Sequence, residues 1–229
     1  EQVLRTMPKM GFVGCNITIP HKEKVILLAD QVTDRATLIG AANTLTFAAG
    51  GKIIADNTDG YGFMENLRRG APNWNPASGP AAVLGAGGAA RAVIVALLDA
   101  GVPEILISNR TRVRADKLKE DFGQRLQVID WVQAGNIIED AALVVNTTSL
   151  GMLGKPELRV PLDGINTRTV VTDLVYNPLK THLLQVAEQA GATVVDGLGM
   201  LLWQAVPGFE RWFGYRPEVD ADTRAAVLA

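Results

Sequence analysis

The chain has 229 residues, 48% hydrophobic and 20% charged, with a net charge of −2. That balance excludes a disordered segment and a chain drawn to nucleic acid or anionic membrane by bulk charge, and its length allows one large domain or two small ones. One cysteine, Cys15, rules out an internal disulfide framework and points to a reducing compartment, and two histidines, His21 and His182, make a zinc centre unexpected. No apolar run reaches the length of a membrane span.

In chain order, residues 16–19 read as a short strand, since branched side chains fit a pleat. Pro20 is a good first helical residue, which predicts a helix there with Lys22 in its first turn. A cation at that end works against the helix dipole, so Lys22 is a candidate for proton chemistry; the competing reading is a solvated lysine eased by Glu23. Residues 44–48 and 52–56 predict a β-hairpin with Gly50 and Gly51 as a two-residue turn. A helix follows from near Gly60. The stretch 70–80, rich in Pro, Gly, Asn and Ser, reads as a loop between modules.

Beyond it strands and helices alternate. Strands are predicted at 81–84, 104–108, 126–129, 142–146, 169–174 and 192–195. Helices are predicted at 89–100, 113–122 and 181–190, the first and last closed by Gly101 and Gly191. This order predicts an α/β fold with parallel strands and right-handed crossovers. Residues 199–213 form a largely apolar helix containing Pro207, expected to pack back onto the first module.

The strongest local motif is GAGGAA (85–90), which follows a strand and opens a helix. Gly85 permits the tight turn, Gly87 admits a pyrophosphate to the backbone, and Ala90 is small enough for close packing. This predicts a dinucleotide site, against an ordinary glycine-rich turn. An NAD site usually carries an acid at the end of the next strand. Here Asn109, Arg110 and Thr111 stand there, followed by Arg112 and Arg114. Arginines suit a 2′-phosphate, so NADP is the expected cofactor, against a merely solvated basic helix start.

A nicotinamide cofactor calls for a proton donor at the reacting oxygen. Neither histidine has an obvious orienting partner. Tyr176 and Lys180 have the spacing of a Tyr-x-x-x-Lys pair, but Pro178 interrupts the helix such a pair needs. That leaves Lys22 with a carboxylate. Asp59 is preferred; it competes with, and is compatible with, a role as N-cap of the following helix. Asp56 lies nearer the hairpin strand.

Taken together, NITIPHK (16–22), GAANT (40–44), NTDG (57–60), GAGGAAR (85–91), NRT (109–111), NTTSLGM (146–152) and DGLGMLLWQ (196–204) resemble the motifs of the shikimate dehydrogenase family, in its order. The resemblance implies a Rossmann-like NADP-binding domain, 59–196, and an α/β substrate-binding domain, 1–58 plus 197–229, with the active site between them. It implies NADPH-dependent, reversible reduction of 3-dehydroshikimate to shikimate in the cytoplasm, by a monomer or homodimer acting on a small molecule, with no metal. Lys22 and Asp59 take the catalytic positions. Asn16, Thr18, Asn43, Tyr176 and Gln204 take substrate positions. Gly85, Ala86, Gly87, Gly88 and Ala89 form the cofactor loop. Asn109, Arg110, Thr111 and Arg114 match the adenosine-phosphate clamp, and Thr147, Gly197 and Met200 fall on the cofactor surface. Two alternatives are an NAD-dependent quinate/shikimate dehydrogenase and a catalytically silent dinucleotide binder. The family pattern begins with a strand, a helix, a second strand and a Ser-x-Ser motif for the substrate carboxylate. No such segment precedes Glu1, and a true fragment lacking it is expected to turn over weakly or not at all.

Overall fold

A computed structural model describes all residues, 1–229. A short helix, α1 (Gln2–Thr6), leads into β1 (Gly14–Asn16), β2 (Gln31–Val32), α2 (Asp34–Ile39) and the hairpin strands β3 (Thr44–Ala48) and β4 (Lys52–Asp56). These strands form one sheet in the order β1-β3-β4-β2, antiparallel except for the parallel β2–β4 pair. The core beneath it is small: Val25, Ala36, Ala42, Leu45, Ile53 and Ala55 are its fully buried members.

Three local expectations are corrected here. No α-helix starts at Pro20: a turn carries the chain to a 3₁₀ segment, Lys24–Leu28, because Ile17 and Lys22 are held by residues 42–43 instead. Ile17 N–H donates to the Asn43 carbonyl (2.7 Å) and the Lys22 carbonyl accepts from Ala42 N–H (2.8 Å). Lys22 therefore stands in the first turn of no α-helix of its own, and the dipole argument drawn from that helix falls away. The strand ends at Asn16 rather than beginning there. The hairpin loop has three residues, Ala49–Gly51, with Gly50 and Gly51 both at positive φ.

α3 (Asp59–Gly70) then leads to the second sheet: β5 (Ala81–Leu84), α4 (Gly88–Ala100), β6 (Ile105–Ser108), α5 (Arg112–Phe122), β7 (Leu126–Ile129), α6 (Ala134–Glu139), β8 (Leu143–Asn146), β9 (Val170–Asp173), α7 (His182–Gln189) and β10 (Thr193–Val195). All six strands are parallel, ordered β10-β9-β8-β5-β6-β7. The chain builds outward from β5 to β7 and resumes on the other side of β5 with β8. The switch point between β5 and β8 is where such sheets open a crevice at their C-terminal ends. Both faces are covered: Ala81 and Val83 face a core shared with Phe63, Ile94 and Leu97, while Ala82 and Leu84 face one shared with Ile138, Val144 and Leu184. Strands buried on both sides read as continuous apolar runs, which is why their bounds were visible in the sequence.

α8 (Gly197–Phe213) returns to the first sheet, and α9 (Ala221–Leu228) ends the chain. Pro207 lies inside α8, which continues to Phe213, and the Trp212 indole donates to the Leu45 carbonyl (3.0 Å). α8 packs closely on α3 because glycine stands at the crossing. A Cβ at Gly62 would lie 2.6 Å from Gln204 N, and one at Gly199 1.8 Å from Asn66 Oδ1.

Candidate active site

A cleft of about 610 Å3 opens between the two sheets, and the C-terminal ends of β5, β6, β8 and β9 feed its walls. Lys22 and Asp59 meet there. Lys22 Nζ lies 2.6 Å from Asp59 Oδ2, with the side chains 12% and 3% exposed. Asp59 is the first residue of α3, with Thr58 as N-cap, so its carboxylate gains from the helix dipole rather than capping the helix itself. Its N–H donates to Asn57 Oδ1 (3.0 Å).

Behind the pair lies a polar network built by three separated segments. Asn43 Nδ2 donates toward Asp59 Oδ1 (3.0 Å), Thr58 Oγ1 (2.9 Å) and Gln204 Oε1 (2.8 Å). Asn43 Oδ1 accepts from Thr58 N–H (2.8 Å) and from the Thr44 hydroxyl (3.0 Å). Thr58 Oγ1 also donates to the Gln204 carbonyl (2.7 Å). A buried ion pair holds only when its remaining hydrogen-bonding capacity is satisfied, and this network does so for Asp59. Asp56 is held elsewhere: Arg211 and Thr33 bind its carboxylate outside the cleft.

The glycine loop has the form an anion needs. Gly85 has φ +110°, and a Cβ there would press on Thr147 Oγ1 at 2.5 Å. A Cβ on Gly87 would meet nothing within 4 Å, which leaves its backbone open to an approaching group. Gly88 begins α4, where free N–H groups and the dipole favour negative charge. A Cβ on Gly88 would come to 3.0 Å from Lys22 Cβ, so this glycine lets the helix sit against the lysine. At the end of β6, Arg110 and Arg114 line the cleft and make no ion pair, whereas Arg112 is taken up by Asp130 and Asp116. Three cations, Lys22, Arg110 and Arg114, thus face one acid, Asp59.

Asn16, Thr18, Tyr176, Gln204, Ala86, Ala89, Asn109, Thr147, Gly197 and Met200 also line the cleft. Three expected site residues do not. Asn43 is 1% exposed and stands behind Asp59, Gly88 packs under Lys22, and Thr111 turns its carbonyl to Asn109 Nδ2 (2.8 Å). From α8 the lining residues are Gly197, Met200, Leu201 and Gln204, at the spacing of one helix face. That spacing was available to find Leu201. Trp131, just after β7, and Thr148 and Leu150, within the 146–152 motif, also border the cleft and were not anticipated.

Two of the cleft-lining loops share one buried anchor. Asp173 Oδ1 accepts from Asn146 Nδ2 (2.9 Å) and Val175 N–H (2.9 Å), and Oδ2 accepts from the Thr181 hydroxyl (2.7 Å). Asn146 Oδ1 in turn accepts from Thr148 N–H (3.0 Å) and its hydroxyl (2.7 Å). Burial raises the Asp173 carboxyl to about 6, against the three hydrogen bonds that favour its charged form.

Known proteins resemble this chain along its whole length. Residues 1–45 match the shikimate dehydrogenase substrate binding domain, 74–153 match shikimate/quinate 5-dehydrogenase, and 197–227 match the shikimate 5′-dehydrogenase C-terminal domain. The chain is 70% identical over 228 residues to a shikimate dehydrogenase (NADP(+)) of Roseobacter denitrificans, covering 100% of this chain and 82% of that one. It is 72% identical over 229 residues to one of Cereibacter sphaeroides, with the same coverage. Among solved structures, it is similar to quinate dehydrogenase from Corynebacterium glutamicum in complex with NAD (TM-score 0.90, 32% identity, 99% of this chain and 81% of that one). It is also similar to shikimate 5-dehydrogenase from Thermus thermophilus in complex with NADP(H) and shikimate (TM-score 0.82, 38% identity, 95% and 78%).

Proposed function

The chain belongs to the shikimate dehydrogenase family, and from that premise we propose that it catalyses the NADPH-dependent, reversible reduction of 3-dehydroshikimate to shikimate. The observation that carries the reading is the Lys22–Asp59 pair at 2.6 Å, in the same cleft as the open glycine loop and two unpaired arginines.

The donor set fits NADP. The backbone of 85–89 and the start of α4 would hold the pyrophosphate, and Arg110 and Arg114, with Asn109 beside them, would hold the adenosine 2′-phosphate. With Asn109 where an NAD site carries an acid, nothing at the end of β6 repels that phosphate. When bound, the cofactor supplies a hydride to the substrate's ketone carbon. Lys22 faces the ketone oxygen and gives it a proton as negative charge develops there; in the reverse direction it takes that proton back. Asp59 keeps the lysine in place, and Asn43 keeps Asp59 in place. Asn16, Thr18, Tyr176 and Gln204 present hydrogen-bonding groups to the substrate's hydroxyls across the same cleft. Thr147, Gly197 and Met200 flank the cofactor.

In this reading, residues 1–58 with 197–229 form the substrate-binding domain and 59–196 the NADP-binding domain. The substrate is a small molecule and the enzyme works in the cytoplasm, where a reducing medium suits the single free thiol of Cys15. No helix is long and apolar enough to cross a membrane. A spectrophotometric matrix of NADP and NAD against shikimate and quinate tests the assignment. Turnover concentrated in the NADP–shikimate cell is expected. Equal or greater turnover of quinate with NAD, or no absorbance change in any cell, overturns it.

A further inference from the structure

Arg91 closes the GAGGAAR run, yet it plays no part in the cleft. An arginine in the first turn of a helix that receives a pyrophosphate could reach toward that anion. Arg91 turns the other way. Its Nε donates to the carbonyl of Ile39, the last residue of α2, and its Nη2 donates to Asp121 Oδ2 (2.7 Å) at the end of α5. The guanidinium carbon lies 5.0 Å from the centre of the Phe122 ring, and the side chain is 13% exposed. Asp121 is shared with Lys117 (3.1 Å), which fixes the carboxylate from its own helix. Gly40 makes room for this contact: it has φ +71°, and a Cβ there would lie 2.6 Å from Arg91 Nη2. Beneath it, Ile39 and Ala41 pack on Ala92 and Val95 of α4.

The segment just after that contact touches both members of the catalytic pair. Ala41's carbonyl accepts from Asn57 Nδ2 (2.8 Å), and Asn57 Oδ1 accepts from Asp59 N–H. Ala42 N–H donates to the carbonyl of Lys22 (2.8 Å). Asn43 donates to the Asp59 carboxylate (3.0 Å). Three consecutive residues therefore carry the positions of Lys22 and Asp59, and the segment is tied to α4 by apolar packing and, with direction, by one guanidinium.

We propose that Arg91 is a positioning residue, which fixes the 39–43 segment, and with it Lys22 and Asp59, against the helix whose first turn receives the cofactor. It sets the register between proton donor and hydride source without touching either. This rests on the reading of Lys22 and Asp59 as the catalytic pair. The fork of the guanidinium is what the role requires. A lysine at 91 could reach Asp121 as a point charge, but it could not also hold the Ile39 carbonyl in the same planar geometry.

The test compares R91A, R91K, D121N and K22A with the parent enzyme. R91A is expected to lower kcat by about 10- to 100-fold, the scale of a small misplacement of reacting groups. NADPH affinity, read by tryptophan fluorescence, and the KM for shikimate should stay within about twofold, because no ground-state contact is lost. Deuterium uptake in the peptide covering 39–44 should rise in R91A. R91K should recover thermal stability through Asp121 but not kcat. D121N keeps the Ile39 bond and should lose less activity than R91A. The proposal is overturned by unchanged uptake at 39–44, by parental kcat in R91K, or by NADPH affinity falling as far as kcat. Should R91A fail to fold, R91K and D121N decide on the same readouts. K22A separates the two readings: full turnover without Lys22 refutes the catalytic pair, whereas an inactive K22A beside fully active Arg91 variants refutes the role of Arg91.

Discussion

Along β5, Ala81 and Val83 point into one apolar core and Ala82 and Leu84 into another, so the strand is held from both faces by contacts that are individually replaceable. Along β3 and its neighbours the arrangement differs. Only six residues are fully buried in the core of that sheet, and Asn43, Thr44, Thr58 and Asp59 are buried beside it as a hydrogen-bonded polar network. The six-stranded half is stabilised mainly by area removed from water, which is indifferent to direction. The four-stranded half relies also on directed bonds, several of which fix Asp59 and Gln204 at the cleft. In the apolar core of the first, stability can thus be varied without touching the cleft, whereas in the second the two are coupled.

The largest effect that would test this contrast is at Lys22. K22A should raise the barrier by roughly 3 kcal/mol or more, as expected for a lost charged donor, with a far smaller change in the KM for shikimate. A kcat near the parent's would leave the polar half as scaffold only.

Next comes Asp173, the centre of a small hydrogen-bonded cluster inside the half held mainly by apolar packing. Its carboxyl is raised from 3.8 to about 6 by burial, so the folded chain holds its proton more tightly than the unfolded chain does. Stability from this group is full at pH below about 4 and is lost as pH rises through about 6, a swing of about 3 kcal/mol. Urea unfolding of D173N and parent across that window should show the parent losing stability relative to the variant as pH rises. Parallel curves would mean that the carboxyl titrates alike in both states.

Asn43→Ala should cost about 2 kcal/mol of stability, because it leaves Thr58 N–H without its partner in a buried site. It should also lower kcat. A Leu97→Ala variant in the apolar half should match or exceed that destabilisation with kcat unchanged. If both variants, or neither, lose kcat, the two halves do not differ in the way described. The smallest effect is at Arg110. R110A should weaken NADPH binding by about 1–2 kcal/mol and spare NADH, measured by competitive fluorescence titration. An equal loss for both cofactors would remove the phosphate clamp.

The same contrast decided what could be read from the residues alone. Strand β5 was legible to the residue because four apolar side chains stand between Pro80 and Gly85. The hairpin strands were equally clear. The path of 17–23 was not, since Pro20 is a sound helix start and only the distant partners Ala42 and Asn43 override it. The short α2 left a faint trace, with Thr33 capping Ala36 N–H and Gly40 closing the helix at positive φ, but six residues carry too little periodicity to register. Lys22, Asp59 and the glycine loop were visible as residue types at telling places. That Asn43 stands behind Asp59 rather than in the cleft was not visible, because burial of a polar side chain depends on partners 15 to 161 residues away.

The face of α8 that borders the cleft fixes the spacing of the side chains it presents there. Met200 and Gln204, the latter bonded to the Asn43 network, both line the cleft and are separated by about one turn of a single continuous helix. Their separation along the axis is therefore about 6 Å, four residues at a rise of about 1.5 Å each, set by backbone geometry rather than by any loop. The helix acts as a ruler whose graduations cannot slip: one residue inserted between the two would swing Gln204 by roughly 100° off its network. The lengths of the surface loops are free to drift, while the length of this rod is not.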